Sequence, residues 1–258
     1  MSIRLLIGRA GTGKTTVCLN ELQDHMLHEP DGNPLIYLVP DQMTFLSEYK
    51  LVSASGLSGM IRTQVYSFSR LAWRILQETG GISRYHLNNV GISMLIQKII
   101  DDKKDELKLF ERAADKNGFI QQMEQILVEF KRYCIRPEEL AEKQHILTEQ
   151  DSAERVLQDK LHDLEIIYKA FEEALFEKYI DTEDYLKLLA EKISQSQYLK
   201  NAEIYIDGFH SFTPQEYMIV EQLMIHCRRV TIALTLDKPF YGQSPDELHL
   251  FRMSGETC

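Results

Sequence analysis

The chain has 258 residues, 44% hydrophobic and 26% charged, with 29 basic against 39 acidic side chains for a formal charge of −10. These values fit a globular chain of one or two domains and exclude collagenous, coiled-coil and intrinsically disordered classes. They also exclude a general polyanion binder, because sequence-independent nucleic-acid affinity needs clustered Lys and Arg; any DNA contact is expected to be local or shared with a partner.

In chain order, a short apolar strand is predicted over Arg4–Ile7, followed by a helical pattern of Val17, Leu19, Leu22 and Met26. Further strands are predicted at Leu35–Val39 and Thr63–Tyr66, and then Phe68, Leu71, Ala72, Ile75 and Leu76 form one apolar helical stripe. Residues 92–207 contain a single glycine, Gly118, and a single proline, Pro137. Apolar residues there recur at helical spacing, as in Met94, Leu95, Ile99 and Phe119, Met123, Ile126, Leu127, Phe130, so the stretch is predicted to be all helical. Strands return at Glu203–Ile206 and Val230–Thr235. Strands alternating with helical patterns predict a parallel sheet with crossover helices. The expected organisation is therefore 1–80 as the first part of an α/β lobe, 81–200 as a helical insertion, and 201–258 as the return to the lobe. The insertion carries 18 basic and 24 acidic side chains, against 7 and 7 before it and 4 and 8 after it, which marks it as the solvated part. Its mixed-sign run Asp101–Glu106 reads as a wet helix face rather than a metal cluster.

Cys18, Cys134, Cys227 and Cys258 include no C-x-x-C pair, and the histidines show no H-x-x-x-H or H-E-x-x-H arrangement, so no zinc site or disulfide framework is expected. The apolar N-terminal run is too short for a signal peptide, and no stretch reaches the roughly 18 apolar residues of a membrane-crossing helix. A cytoplasmic protein is expected.

The chemistry is concentrated after the first strand. Gly8, Arg9, Ala10, Gly11, Thr12, Gly13, Lys14 and Thr15 fit G-x-x-x-x-G-K-[ST] at every fixed position, between a strand and a helix. Glycines let successive backbone N–H groups turn inward on a phosphate, Lys14 supplies a charge to the β- and γ-phosphates of ATP, and Thr15 is the expected Mg²⁺ ligand. A second acidic strand end is needed for the metal, and Asp207, closing Glu203–Ile206, is the candidate. The next residue is Gly208, so a neighbouring carboxylate to orient water is missing. Binding without hydrolysis is the expectation.

These residues resemble the first RecA-like lobe of superfamily-one helicases of the UvrD/RecB kind, and most closely the B subunits of bacterial AddAB helicase–nucleases. The resemblance spans essentially the whole chain and is carried by GRAGTGKT, by Leu38–Thr44 after the second strand, by Ser67–Leu76, and by Asp207–Glu216 where helicases have D-E-F-Q-D. It implies a P-loop NTPase fold, a parallel RecA-like sheet with an all-helical 1B-type insertion. Departures from the helicase pattern stand at Gly208, His210 and Ser211, and at Leu236-Asp237-Lys238-Pro239, which lacks the γ-phosphate-sensing Gln. What the resemblance implies is a nucleotide-binding but motor-inactive lobe, a partner A subunit in a heterodimer, DNA as substrate, and a role in double-strand-break resection and recombination. The family's 4Fe–4S cluster and nuclease Mg²⁺ would lie outside this stretch.

For single-stranded DNA, Phe68, Arg70 and Arg74 are the candidates, with core packing an equal reading for Phe68. Trp73 is expected in the core or against another lobe, and the pairs Lys131-Arg132 and Arg228-Arg229 are expected to be solvated. The alternatives are a stand-alone P-loop ATPase or small kinase using the helical stretch as a lid, for which Asp41 is the only nearby carboxylate by chain position, and an interaction scaffold whose loop stays empty.

Overall fold

The computed structural model describes residues 2–53, 59–81, 85–113, 118–146 and 152–238. It divides into two compact units, Met1–Gly81 with Leu186–Cys258, and Ile82–Tyr185.

The first unit is an α/β layer structure. Its strands are β1 (Ser2–Gly8), β2 (Leu35–Leu38), β3 (Thr63–Tyr66), β6 (Glu203–Ile206) and β7 (Arg229–Thr235), and its helices are α1 (Lys14–His28), α2 (Thr44–Val52), α3 (Phe68–Thr79), α9 (Gln197–Lys200) and α10 (Pro214–His226). The strands form one parallel sheet in the order β1-β7-β6-β2-β3. Of the three inner strands, β2 and β6 are buried at every residue and β7 at all but its two ends, as expected of a parallel sheet covered on both faces. On one face Cys18, Leu22 and Met26 of α1 and Leu51 of α2 pack on Tyr37, Val65, Tyr205 and Ala233 of the sheet. All five predicted stripe residues of α3 are buried. That helix starts at Ser67, whose hydroxyl accepts the Arg70 N–H. Thr213 and Glu216 close a full capping box on α10, with Pro214 in its first turn.

The second unit holds α4 (Asn89–Asp102), α5 (Phe119–Arg132), α6 (Pro137–Ile146) and the long α7 (Ser152–Lys178), and α8 (Thr182–Lys192) begins within it. Its core gathers Ile96 and Ile100 of α4, Met123 and Leu127 of α5, and Ile167, Phe171 and Leu175 of α7. It is not purely helical: β4 (Tyr85–His86) and β5 (Tyr179–Ile180) form a two-residue parallel pair. The unit also ends at residue 185 rather than 200. Residues 186–200 belong to the sheet-bearing unit, where Glu78 at the end of α3 accepts the Ser196 hydroxyl at 2.7 Å and the Gln197 and Tyr198 N–H groups at 2.9 and 3.2 Å.

The expectation of a solvated Lys131 is overturned. Lys131 is 8% exposed and lies 2.7 Å from Asp181, 2.9 Å from Asp184 and 3.1 Å from Glu172. Burial alone would lower its pKa, but those three carboxylates raise it well above the ordinary 10.5. Its neighbour Arg132 keeps a half-exposed side chain, paired with Glu183 at 3.0 Å. Asp163, fully buried, accepts three backbone N–H groups, from Lys108, Leu109 and Phe110. The Asp101–Glu106 run is a surface feature in which Lys103 pairs with Glu106. Among the described residues no helix is long and apolar enough to cross a membrane.

Replacing Lys131 by Met should destabilise the protein by about 3–5 kcal/mol, because Asp181 is left as a buried charge without its cation; urea unfolding measures this. A folded pKa raised above the unfolded one means the contribution is complete below pH 10.5 and is lost only as pH climbs through the higher folded value. Between neutral pH and about 10 the difference between the two proteins should therefore stay constant.

Candidate functional site

All five strands of the sheet run the same way, so their carboxyl ends share one edge, the position at which open α/β sheets place ligands. β1 delivers Gly8 to that edge, and α1 leaves it from Lys14. Between them the chain turns through Gly11 (φ 79°) and Gly13 (φ 90°), both in the left-handed region that glycine enters without strain. Gly8 is required for a different reason: a Cβ there would stand 2.5 Å from the Thr12 hydroxyl oxygen. α1 begins at Gly13 with no side-chain cap and no acidic residue in its first turn, so its N-terminal N–H groups and partial positive charge are left for another acceptor.

Lys14 folds back over this turn. Its ammonium donates to the carbonyls of Gly8 at 2.7 Å and Arg9 at 2.9 Å, and the Thr12 hydroxyl donates to the same Arg9 carbonyl at 2.9 Å. Arg9, Ala10, Gly11 and Thr12 are exposed, while Lys14 and Thr15 are half-buried. The turn is thus a set of backbone donors around a cation held by two main-chain carbonyls.

Asp207 stands at the end of β6, two strands from β1, or roughly 10 Å by strand spacing. It is 3% exposed, accepts the Tyr37 hydroxyl at 2.8 Å on Oδ2, and accepts the Gly208 N–H at 2.9 Å on Oδ1. Burial, followed by the Asp207 charge, raises the Tyr37 phenol. Burial, again followed by Asp207, pushes the Cys18 thiol up to about 12. Cys18 lies one helical turn after Thr15 on the buried side of α1.

Gly208 sits where a side chain would be strained. It has φ 83°, and a Cβ there would meet Met43 Sδ at 2.7 Å and Pro40 Cδ at 3.2 Å. Asp41 follows β2, three strands from β1, and accepts a hydrogen bond from Ser69 at 3.3 Å. The carboxylate that sequence reasoning passes over is Asp237, two residues beyond the end of β7, which pairs with Arg9 at 2.8 Å. Its signal is a strand-ending Asp like Asp207, but only the sheet order makes β7 the neighbour of β1. Pro239, the last residue of the segment compared with the helicase γ-phosphate sensor, lies outside the described residues.

Of the two roles open to Phe68, the structure takes core packing. The ring is 5% exposed and rests against Phe209 and Phe212, with centroids at 5.3 and 6.2 Å, so neither face is available to a base. Arg70 is exposed and pairs with Glu48 at 3.1 Å, and Arg74 lies over the Tyr198 ring at 4.7 Å. Trp73 is 49% exposed and is not a core residue of this unit; on α3 it lies off the stripe made by Leu71, Ala72 and Ile75.

Fold and site together define an α/β protein with one covered parallel sheet and a glycine-rich strand-to-helix turn at its carboxyl edge. A family model described as "ADDB, N-terminal" matches residues 5–258, and the chain belongs to that family. It is similar to the B subunits of the ATP-dependent helicase/deoxyribonucleases of Anoxybacillus flavithermus, at 57% identity over 258 residues, of Geobacillus kaustophilus, at 54% over 261, and of Bacillus subtilis, at 50% over 258. Each match covers 100% of this chain and 22% of the relative's length.

Replacing Tyr37 by Phe should cost about 1–3 kcal/mol, since it leaves Asp207 Oδ2 buried without its donor. Guanidinium unfolding with an unchanged m-value is the expected readout.

Proposed function

We propose that this chain is the N-terminal, nucleotide-binding and motor-inactive RecA-like lobe of the B subunit of a heterodimeric ATP-dependent DNA helicase and exonuclease acting in double-strand-break resection, with Ile82–Tyr185 as its 1B-type helical insertion. The turn from Gly8 to Thr15 is the P-loop: backbone N–H groups of Gly11, Gly13, Lys14 and Thr15 hold the phosphates, and Lys14 exchanges its two carbonyl partners for phosphate oxygens. Mg²⁺ arriving with the nucleotide would take the Thr15 hydroxyl and, through water, Asp207. The donor set fits such an ion, because each Asp207 oxygen accepts a hydrogen bond and a carboxylate oxygen has room for a second interaction. The ion supplies charge neutralisation across the phosphates, and the protein orients the chain.

One observation carries the motor-inactive reading. The residue after Asp207 is Gly208, in a left-handed backbone (φ 83°) that strains any side chain, so Asp207 has no following carboxylate to orient water, a role worth about 10²- to 10⁴-fold in rate. The partner A subunit then drives translocation. The names of the relatives, each the B subunit of a helicase/deoxyribonuclease, support the heterodimer and the DNA substrate, with Arg70 and Arg74 as the candidate phosphate contacts. The 4Fe–4S cluster and the nuclease Mg²⁺ are assigned to the part of those relatives beyond the matched 22%. A stand-alone ATPase is the second reading, and Asp237 beside the loop is the observation in its favour.

Nucleotide titration compared with steady-state turnover tests the proposal. ATP should bind while turnover stays slow with and without DNA, and Lys14→Ala should weaken binding at least about tenfold, the loss of one charge-assisted contact. Rapid DNA-stimulated hydrolysis by the chain alone would establish the second reading instead. Gly208→Glu should lower stability by about 1–3 kcal/mol without raising turnover, since the new residue is held in a strained backbone region.

A further inference from the structure

Sheet order decides which acid stands nearest the loop. Asp41 follows β2, three strand spacings or about 14 Å from β1, and Asp207 follows β6, two spacings away. Asp237 follows β7, the immediate neighbour, about 5 Å across. The pairing of β1 with β7 continues past the strand ends. The Leu236 N–H donates to the Gly8 carbonyl at 3.2 Å, and one residue further Arg9 Nε donates to Asp237 Oδ1 at 2.8 Å. Asp237 is therefore held at the loop by register.

The loop fixes the other partner in the same way. The Arg9 carbonyl accepts the Lys14 ammonium, the Thr12 hydroxyl and, at 3.3 Å, the Thr12 N–H. That pins the backbone of residue 9 while its side chain stays at the open mouth, 66% exposed, beside an Asp237 side chain that is 45% exposed. A solvated pair of this kind is weak and easily exchanged. A guanidinium meets a phosphate bidentately, with more charge and better geometry than it meets one solvated carboxylate.

We propose that Arg9 and Asp237 form the selector that distinguishes a nucleoside triphosphate from a diphosphate, a role that rests on the P-loop reading above. Arg9 leaves Asp237 for the terminal phosphate. Asp237, held beside the loop by strand register, stays as a negative charge next to that phosphate and limits the affinity for it. The two residues therefore act in opposite directions on the same ligand atoms: Arg9 favours the longer phosphate chain and Asp237 disfavours it.

Equilibrium titration of the intact protein with Mg²⁺-ATP and Mg²⁺-ADP, for the unaltered chain and for Arg9→Ala, Asp237→Asn and Lys14→Ala, tests this. Arg9→Ala should weaken ATP binding about tenfold and ADP binding less than about twofold, as loss of one charge-assisted contact to a single phosphate implies. Asp237→Asn should tighten ATP binding about threefold and leave ADP binding unchanged, the size expected of one solvated charge. Both variants should keep a cooperative thermal transition. Equal losses for both nucleotides in Arg9→Ala would overturn the selector, as would an Asp237→Asn variant whose turnover falls while its ATP-to-ADP affinity ratio stays fixed, because Asp237 would then be acting on the attacking water. If Lys14→Ala abolishes binding while the other two variants leave the ratio untouched, the selector fails and the P-loop reading stands; if Lys14→Ala leaves binding unchanged, the P-loop reading fails and the selector falls with it.

Discussion

Parallel pairing is the constraint from which everything else follows. Because all five strands of the sheet point the same way, residues as distant in sequence as Gly8, Leu38, Tyr66, Ile206 and Thr235 finish at one edge. Four of the strands then hand a short polar turn to that edge: the glycine turn after β1, Asp41 after β2, Asp207 after β6 and Asp237 after β7. Register, rather than the length of chain between them, sets how far apart these groups stand. A binding edge of this kind needs no dedicated scaffold; it is what a covered parallel sheet leaves uncovered.

Within that edge the glycine turn and the acidic strand ends differ in how free they are to change partners. The glycine turn presents donors and a lysine engaged by carbonyl oxygens, which an anion can replace. The acidic side is locked instead. Asp207 is buried under the Tyr37 hydroxyl, and the position after it is a left-handed glycine where a side chain would be strained and would have to displace the Met43 thioether. A side chain at residue 208 would carry backbone strain as well as require Met43 to move.

How much of this was legible in the sequence follows from which forces are local. The five strands were readable because each is a short β-branched or aromatic run between turn residues, and the stripe of α3 because its five apolar positions share one helical face. The glycine turn was readable as a pattern with fixed spacing. Lys131 was not, because what draws it inside is a set of acids 41 to 53 residues downstream, Glu172, Asp181 and Asp184. The end of the second unit at 185 was not, because helical periodicity reports that a helix has an inner face but not which body provides it. Asp237 escaped for the same reason as Lys131: its neighbour relation to the loop is created by sheet order. Two-residue strands such as Tyr85–His86 carry too few residues to show a period.

The route of the chain through the sheet has a consequence for its synthesis. Among the described residues β1 pairs with β7 alone, so Ser2 waits for Arg229 and Gly8 for Thr235. The helical unit, by contrast, is drawn from the continuous stretch 82–185 and can condense as it leaves the ribosome. Throughout that interval the first strand lacks the neighbour it will bond to, and Ile3 and Leu5 are available to any other extended chain. The newborn polypeptide is thus most vulnerable to mispairing at the very residues that lead into the glycine turn, and these five strands are joined only when β7 arrives.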